Sequence, residues 1–407
     1  METQEEEEEQ HSTMTVDSLA SLPSEIIQEI LFRLPIKSIL RFKSLSKQWL
    51  SRISDPSFTK LHLNRATAHH RLFFSFLDYN TCKRYFFSAA QDGGPVTHLM
   101  TLHDPFATDL IDAEHLNGLV FITCTEWDFR KSYQFVFNPT THQVFELPDP
   151  PLASLTHVHI RYLFGFDESR NEHKILMIRQ LHEPTKFEVM VFSLTNYSWR
   201  KIDAEPPVGF GFTFERLPYE IHSSVCVNSV IHLVPSESFD ILMFDLRTEK
   251  FSMIGPPRGV VPHQPSMVYT WKGWTYVKSN KPCLIKINGR IGVICHERLV
   301  ESNEMHIWIL QDYENRVWVR EIFKFPLPWI ESEYLPYPLE VVNTDGIILS
   351  SSKVSGNEIC LQICNKKSRR FKSLRFTMGD QFLLPRTMLV KQIKCYVESI
   401  VPLRSNR

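Results

Sequence analysis

The sequence predicts an α+β multidomain protein in which a small three-helix module precedes an all-β propeller of six blades. Three observations support this fold class. Apolar residues recur at helical spacing within residues 21–63, and a strand–turn–strand pattern repeats every 54 to 60 residues after residue 65. The closing segment of the chain reads as a strand with no hairpin partner nearby. Four-stranded repeats of this length are typical of propeller blades.

Composition excludes several classes of function. The 407 residues are 43% hydrophobic and carry a net charge of -1, so no general attraction to nucleic acid or anionic membrane is expected. No apolar run approaches the roughly 18 residues of a membrane span. Residues 1–20 are acidic and polar, which predicts a disordered tail rather than a signal peptide. We expect a protein of the cytoplasm, the nucleus or both, and not a secreted one.

The cysteine pattern predicts free thiols and no metal site. Eight cysteines are scattered without a CxxC pair and without the Cys/His spacing of zinc ligands. The chain also has no P-loop, no GxGxxG, no HExxH and no nucleophile elbow. The sequence therefore predicts a protein without cofactors that is not an enzyme.

Three amphipathic helices are predicted within residues 21–63. Ser21 or Ser24 can cap the first, Ser46 can cap the third, and Asp55-Pro56 ends it. Apolar side chains line the three helices: Ile26, Ile27, Ile30, Leu31 and Leu34, then Ile36, Ile39, Leu40, Phe42 and Leu45, then Trp49, Leu50 and Ile53. About forty residues cannot bury this much apolar surface alone. Either the rest of the chain or a partner protein covers it, and periodicity leaves both possibilities open.

The residues themselves carry a more specific signal. The stretch LPxEIIxEILxRLPIKSILRFKxLSKQWLSxISDPSFxKLHL resembles an F-box of the plant type, with the small departure Ser44-Leu45, where relatives often carry Cys-Val. The resemblance implies a surface that binds a Skp-type adaptor and, through it, a cullin ubiquitin ligase. The candidate adaptor-binding residues are Leu22, Pro23, Ile26, Ile30, Leu31, Leu34, Pro35 and Leu40.

Repeated hairpins predict the blades. One set of turns is marked by Asn117, Asn171, Asn228, Asn288 and Asp345, several of them followed by Gly, which is a strong hairpin signal. A second set precedes the aromatic residues Phe145, Trp199, Phe251, Trp318 and Phe371. Residues 266–279 fit no blade and are predicted to be an insertion before the fifth. A pair of packed sheets is the alternative fold.

The first repeat supplies only three strands. A strand from Tyr396 to Val401 is predicted to complete the blade that holds Arg71 to Leu102, because this pairing would close the ring and remove open sheet edges.

The segments GLVFI, FVFNPTT and YLFGFD resemble the F-box-associated, kelch-like domain of plant F-box proteins. The resemblance covers nearly all of residues 66–402, although the Gly-Gly doublet of kelch repeats is missing. The expected organisation is a tail over 1–20, an F-box over 21–63, the propeller over 66–402 and a tail over 403–407.

Binding residues are expected on the long connections between blades, which strand alternation places at one end of the ring. Aromatic residues there suit a protein interface, and the candidate target-binding residues are Phe210, Phe212, Trp329 and Tyr334. The sequence favours a substrate receptor of a ubiquitin ligase that captures an unidentified target protein. The alternatives are a carbohydrate-binding, lectin-like propeller and an F-box protein that acts with its adaptor outside a ligase.

Overall fold

The structure, a computed structural model, describes most of the two units into which the chain divides, Met1–Arg65 and Ala66–Arg407. The described residues are 23–66, 70–78, 80–103, 111–125, 132–151, 160–181, 186–207, 224–234, 240–258, 260, 267–271, 274–278, 283–295, 304–324, 338–342, 346–355, 357–365, 368, 370–379 and 388–404. The predicted tail over residues 1–20 lies outside them.

The first unit is helical. Its described helices are α1 (Ser24–Arg33), α2 (Ile36–Leu45), α3 (Lys47–Ile53) and α4 (Pro56–Ala66). The predicted cap of α3 is confirmed, because the Trp49 amide donates to Ser46 Oγ at 3.2 Å. The predicted cap by Ser24 is wrong, since α1 begins at Ser24 and Pro23 precedes it without a side-chain cap hydrogen bond.

Helix α4 was not predicted as a helix. Asp55-Pro56 ends α3, as expected, but it also starts α4: Asp55 Oδ1 accepts from the amides of Ser57 at 2.8 Å and Phe58 at 3.4 Å. Proline fits the first helical position because the amide it lacks would have no helical partner there. The first unit therefore runs past residue 63, the boundary that the sequence predicted.

The second unit is built from strands. In chain order the described strands are β1 (His70–Asp78), β2 (Lys83–Ala90), β3 (Gly94–Pro95), β4 (Thr97–His103), β5 (Ile111–Leu116), β6 (Leu119–Thr125), β7 (Ser132–Asn138), β8 (Gln143–Glu146), β9 (Ile160–Asp167), β10 (Glu172–Gln180), β11 (Phe187–Ser193), β12 (Ser198–Ile202), β13 (Ser224–Val227), β14 (Val230–Leu233), β15 (Ile241–Asp245), β16 (Lys250–Ile254), β17 (Met267–Trp271), β18 (Trp274–Lys278), β19 (Cys283–Ile287), β20 (Arg290–Cys295), β21 (Glu304–Asp312), β22 (Val317–Lys324), β23 (Pro338–Val342), β24 (Gly346–Ser355), β25 (Glu358–Asn365), β26 (Phe371–Thr377) and β27 (Met388–Val397).

These strands form a six-bladed propeller, as predicted. The blades, each from its innermost strand outward, are β27-β1-β2-β4, β5-β6-β7-β8, β9-β10-β11-β12, β13-β14-β15-β16, β19-β20-β21-β22 and β23-β24-β25-β26. The innermost strands contact one another in cyclic order, from β27 through β5, β9, β13, β19 and β23 back to β27. The hairpin β17–β18 forms its own sheet before the fifth blade, where residues 266–279 were predicted to be an insertion.

The tight turns between the first two strands of a blade have left-handed backbone. Asn117 and Gly118 have φ values of 46° and 85°, and Asn288 and Gly289 have 49° and 72°. Two successive positive φ values are typical of a type I′ turn, whose twist matches that of the flanking strands. Asn228 begins a third turn of this kind with Ser229 in place of Gly. Asp345 lies outside the described residues.

Aromatic side chains hold neighbouring blades together. Phe121 of the second blade stacks on Phe164 of the third with ring centroids 5.5 Å apart. Phe145 and Phe192 repeat this contact further out at 6.0 Å. These rings belong to one buried cluster that spans the second, third and fourth blades. The core of the propeller is therefore sandwiched between blades, and burial of each blade's faces depends on its neighbours.

The C-terminal strand closes the ring, as predicted, although its bounds differ. Strand β27 is antiparallel to β1, with Arg71 opposite Tyr396 and Phe73 opposite Lys394. The strand ends at Val397 rather than at Val401 because residues 398–404 leave β1 and run across the second blade. Leu403 is buried in the cluster between the blades. The propeller therefore includes at least two of the residues predicted to form the tail over 403–407.

No helix within the described parts of the chain is both long enough and apolar enough to span a membrane.

Candidate functional site

The first candidate site is the outer face of α1. Ile26 and Ile30 expose 49% and 41% of their surface, while Ile27 and Leu31 are buried. Residues four apart lie on one face of a helix, so the two exposed isoleucines form a continuous apolar ridge. Pro23, just before the helix, is also exposed. An apolar ridge of this kind on a small helical unit marks a surface suited to binding another protein.

The other predicted adaptor-binding residues differ in how exposed they are. Pro35 is exposed and Leu34 and Leu40 are half-buried, so all three remain accessible. Leu31 faces the interior and cannot contact a partner unless the helix moves. Leu22 lies outside the described residues.

Two further apolar side chains were missed as binding candidates. Leu45, at the end of α2, exposes 64% of its surface, and Leu50 of α3 exposes 46%. The sequence places both on apolar helical faces. The sequence does not show that these two are exposed while their neighbours are buried, because helices this short carry apolar residues over much of their circumference.

Aromatic packing fixes the position of α1. Phe32 stacks on Phe58 of α4 with ring centroids 5.0 Å apart and an interplanar angle of 8°. The ion pair between Glu29 and Arg33, at 3.0 Å, links successive turns on the solvent side. Helix α2 is joined to α3 by a tilted aromatic pair, Phe42 and Trp49, whose ring centroids are 5.4 Å apart. The exposed ridge is therefore presented by a helix whose opposite side is packed.

The four predicted target-binding residues lie outside the described residues. Phe210 and Phe212 fall in the connection from β12 to β13, and Trp329 and Tyr334 in the connection from β22 to β23. Each connection joins the outermost strand of one blade to the innermost strand of the next, as expected. That they form one binding surface stays a prediction.

The inner strands bond to one another through side chains. Gln392 of β27 accepts from the Ala113 amide of β5 at 3.0 Å, and Glu114 of β5 accepts from the Phe164 amide of β9 at 3.0 Å. Cys226 of β13 accepts from the Phe166 amide of β9 at 3.4 Å. Burial raises the pKa of the Cys226 thiol to about 11, so it stays protonated and unreactive at neutral pH. These side chains hold the innermost strands of neighbouring blades together.

The buried histidines are also structural. His173 contacts the carbonyl of Leu116 in the second blade at 3.0 Å, and His232 contacts that of Val225 at 3.2 Å. Burial lowers the pKa of each imidazole to about 4. Both rings are therefore neutral at physiological pH and poorly suited to general acid–base chemistry. Within the described ranges, no three His, Cys, Asp or Glu residues are grouped as metal ligands would be.

A buried ion pair within the third blade also bonds to the fourth blade. Lys174 Nζ donates to Asp167 Oδ2 at 2.7 Å and to the Leu246 carbonyl at 3.1 Å, and both side chains are buried. Burial alone would raise the pKa of Asp167. Hydrogen bonds from Lys174 and Ser169, together with the lysine charge, hold it below its ordinary value. The pair has a geometric role, because its lysine also bonds to the fourth blade.

Comparison with known proteins places these features in a family. The F-box domain profile matches residues 19–61, and the F-box associated beta propeller domain profile matches residues 71–393. The kinship with kelch repeats stays a prediction.

Several Arabidopsis thaliana F-box proteins are similar to this chain. F-box protein At5g65850 is 25% identical over 79% of this chain and 76% of its own length. F-box protein At1g30790 is 27% identical over 82% and 84%. F-box protein DOR is 26% identical over 82% of each chain. Among solved structures, TolB from Acinetobacter baumannii overlaps 84% of this chain and 72% of its own, at 10% identity and a TM-score of 0.44.

Proposed function

Because the chain belongs to the F-box proteins that carry an F-box associated β-propeller domain, we propose that it is the substrate-recognition subunit of an SCF (Skp–cullin–F-box) ubiquitin ligase. Its F-box docks to a Skp-type adaptor, and its propeller captures a target protein. The catalytic step belongs to other subunits. This chain accelerates it by raising the local concentration of the target near the ubiquitin-transfer machinery.

The observation that carries this proposal is the exposed ridge of Ile26 and Ile30 on a packed F-box helix. Ile26 and Ile30 are about half exposed, so covering the exposed part gains about 0.7–1.5 kcal/mol for each, and the two together contribute about 1.5–3 kcal/mol of the roughly 8 kcal/mol of a micromolar affinity. Pro23, Leu34, Pro35 and Leu40 extend the proposed contact around the ridge, and Leu22 is proposed as a further contact. Leu31 supports the surface from within the unit.

Target capture is proposed for the propeller. Loops between rigid blades vary while the blades persist, which suits a receptor whose targets differ between relatives. We place the target-binding face at Phe210, Phe212, Trp329 and Tyr334. The proposed site of action is the cytoplasm, the nucleus or both, where the ligase operates.

The test of adaptor binding is a pair of matched variants of the full chain. Ile26→Asp with Ile30→Asp should weaken co-purification with a Skp-type adaptor by at least about a hundredfold, because two charged side chains would be buried without partners. Leu61→Asp is the control, since Leu61 is similarly exposed on α4 but is not part of the ridge. Equal adaptor recovery from both variants would contradict the proposed surface.

The ligase role and the target face need separate readouts. Recovery of the adaptor without a cullin would favour the alternative in which the protein acts outside a ligase.

Phe212→Ala with Trp329→Ala should weaken target capture in proximity labelling while adaptor recovery is unchanged. Thermal melting of the same variant detects loss of folding. A variant that melts normally and labels the same proteins at full strength would move the target site elsewhere.

A further inference from the structure

Charge is distributed unevenly along the chain. Residues 1–22 hold seven Glu and Asp and no Lys or Arg, a balance of -7. Residues 23–66, which form the described helices of the first unit, hold eight Lys and Arg and three Glu and Asp, a balance of +5. The remaining residues hold 37 Lys and Arg and 36 Asp and Glu. The net charge of -1 therefore hides two neighbouring segments of opposite sign, and such blocks of like charge are often interaction segments.

The positive charge of the first unit is concentrated on α2 and α3. Residues 36–53 contain five basic side chains and neither Asp nor Glu. These five residues, which we call the basic cluster, are Lys37, Arg41, Lys43, Lys47 and Arg52. Three of them are exposed, and Lys43 and Arg52 are half-buried. The aromatic pair between α2 and α3 holds the two helices together, so the charges share one small surface region.

The basic cluster has no carboxylate partner in the described part of the chain. The acidic residues of the same helices are used elsewhere. Glu29 pairs with Arg33 at 3.0 Å, Asp55 accepts from the first amides of α4, and Glu25 lies in the first turn of α1, where negative charge is favoured. Burial lowers the pKa of Lys43, so its charge is partly desolvated. The cluster is therefore a basic surface whose charge is not balanced locally.

We propose that the acidic run over residues 5–9 binds the basic cluster of the same chain and lowers the affinity of the F-box for its adaptor. The contact itself rests on charge, and its regulatory effect rests on the proposed adaptor docking. The run consists of five consecutive Glu. Because it belongs to the same chain, its effective concentration at the cluster is on the order of millimolar.

The chain length permits this contact. Thirteen residues separate the acidic run from Pro23, just before α1. Such a segment spans at most about 45–50 Å, whereas a helix of ten residues is about 15 Å long. The run can therefore reach α2 and α3, which belong to the same compact unit as α1.

The basic cluster overlaps the proposed adaptor surface. Lys37 follows Pro35 by two residues, and Arg41 directly follows Leu40. Pro35 and Leu40 are both proposed adaptor contacts. An acidic segment bound at Lys37 and Arg41 therefore covers part of that surface and must leave before the adaptor can occupy it.

The charge distribution also favours this occupant over others. A nucleic acid or an anionic membrane would be repelled by residues 1–22, which adjoin the cluster in sequence and carry seven negative charges. The same acidic run in a second copy of the chain has the right charge but lacks the effective concentration of an attached segment. A contact within one chain is the arrangement that satisfies both segments.

Carbodiimide cross-linking of the full chain tests the contact directly, because this reagent joins a carboxylate to a lysine amine where the two touch. Cross-links from residues 5–9 to Lys37, Lys43 or Lys47 are expected at low salt. They should be lost at about 1 M salt, where the Debye length is about 3 Å. Mass spectrometry of a mixture of unlabelled and nitrogen-15-labelled chains shows whether each cross-link lies within one chain, as expected, or joins two copies.

Adaptor affinity tests the regulatory effect. Replacing the five Glu of residues 5–9 with Gln should strengthen adaptor binding by about threefold to tenfold at low salt, because exposed ion pairs contribute little singly and several act together here. In a chain with Lys37→Gln, Arg41→Gln and Lys47→Gln, the same tail substitution should have no effect, as the double-mutant cycle for a direct contact requires. Lys60→Gln is the matched control, since Lys60 is exposed on α4 and should leave the tail effect intact.

Several results would overturn the inference. These are absence of the cross-links, cross-links that join two copies, unchanged adaptor affinity after the tail substitution, or a tail effect that persists without the basic cluster. Adaptor and cullin recovery with the unaltered chain separates this failure from that of the proposed function. Normal recovery without a tail effect refutes the inference alone, whereas an unaltered chain that recovers no adaptor refutes the receptor function.

Discussion

At the scale of single residues, two glycines allow a controlled test of the ring closure. Gly118 and Gly289 occupy the same turn position in the second and fifth blades, with φ values of 85° and 72°. A Cβ at Gly118 would lie 2.0 Å from Ser399 Cβ, whereas nothing lies within 4 Å at Gly289. Alanine at either position costs about 1–2 kcal/mol of backbone strain. Gly118→Ala should lose roughly 1–3 kcal/mol more from overpacking. Equal unfolding midpoints in urea would contradict the close approach of Ser399.

The buried ion pair gives a second test at this scale. Lys174→Met should destabilise the propeller by about 3–5 kcal/mol, because Asp167 is left charged and buried without its partner. Lys201→Met is the control: Lys201 pairs with Glu188 at 3.0 Å but is largely exposed, so the expected loss is about 0–1 kcal/mol. Similar losses from the two substitutions would show that the buried pair has no special role.

The effect of Lys174→Met should also depend on pH. The pKa of Asp167 is lowered in the folded protein, so its contribution is present above the unfolded pKa and is lost as pH falls through the folded pKa. In the variant the buried carboxyl has no cation, so its pKa rises and it takes up a proton before the wild-type group does. The difference in unfolding free energy between the unaltered protein and Lys174→Met should therefore become smaller as pH falls from 7 toward about 4. Chemical denaturation at pH 7 and pH 5 measures this difference. A larger difference at pH 5 than at pH 7 would contradict the prediction.

At the scale of elements, local signals were predictable and long-range pairings were less so. Asn117, Asn228 and Asn288 have the left-handed backbone that their turns predicted, because the residue type itself tolerates that conformation. Helix α4 was missed because Asp55-Pro56 is both a stop and a start signal. The pairing of β3 with β26 joins residues far apart in sequence, and Gly94-Pro95 carries no strand pattern that would reveal it.

The segment 398–404 was also only partly predictable. Its attachment depends on side chains of the second and third blades that no local pattern identifies. The Asn138 side-chain amide donates to the carbonyls of Ser399 at 3.1 Å and Val401 at 2.8 Å. Arg404 reaches the third blade, where its amide donates to the Tyr197 hydroxyl at 2.9 Å. The exposed ridge of α1 was predicted through the family resemblance, since periodicity alone does not tell exposed from buried apolar residues.

Asn138→Asp distinguishes the hydrogen bonds that this side chain accepts within its turn from those that it donates to the C-terminal segment. Its Oδ1 accepts from the amides of Thr140 and Thr141 in the turn, and aspartate can keep those bonds. Aspartate cannot donate to Ser399 and Val401, so the expected loss is about 2–4 kcal/mol from two unsatisfied carbonyls. Asp245→Asn is the converse control, because Asp245 makes the same turn bonds in the fourth blade with a partly exposed ion pair to Arg247. A midpoint for Asn138→Asp as high as that of the control would rule out the attachment.

At the scale of the whole molecule, the chain end is what makes the propeller a ring. Strand β27 is the innermost strand of the first blade and contacts the innermost strands of both neighbouring blades. Residues beyond 392 include the buried side chains of Tyr396, Val397, Ile400 and Leu403. Each contributes on the order of 1.5–3 kcal/mol when buried, so their combined loss is comparable to the roughly 5–15 kcal/mol that stabilises a typical domain.

Three truncations should therefore give a graded result. A chain ending at residue 404 should melt as the full chain does. A chain ending at 397 keeps β27 but loses the bonds from Asn138 and the burial of Leu403, so its melting temperature should fall while it stays soluble. A chain ending at 392 lacks the residues of β27 that pair with His70 to Phe74 of β1. Their loss opens that part of the β1 edge and exposes part of the aromatic cluster that includes Phe73 and Tyr396. That protein should aggregate on expression. Differential scanning fluorimetry and size-exclusion chromatography report both properties. A soluble chain ending at 392 with an unchanged melting temperature would mean that the blades hold together without the closing strand.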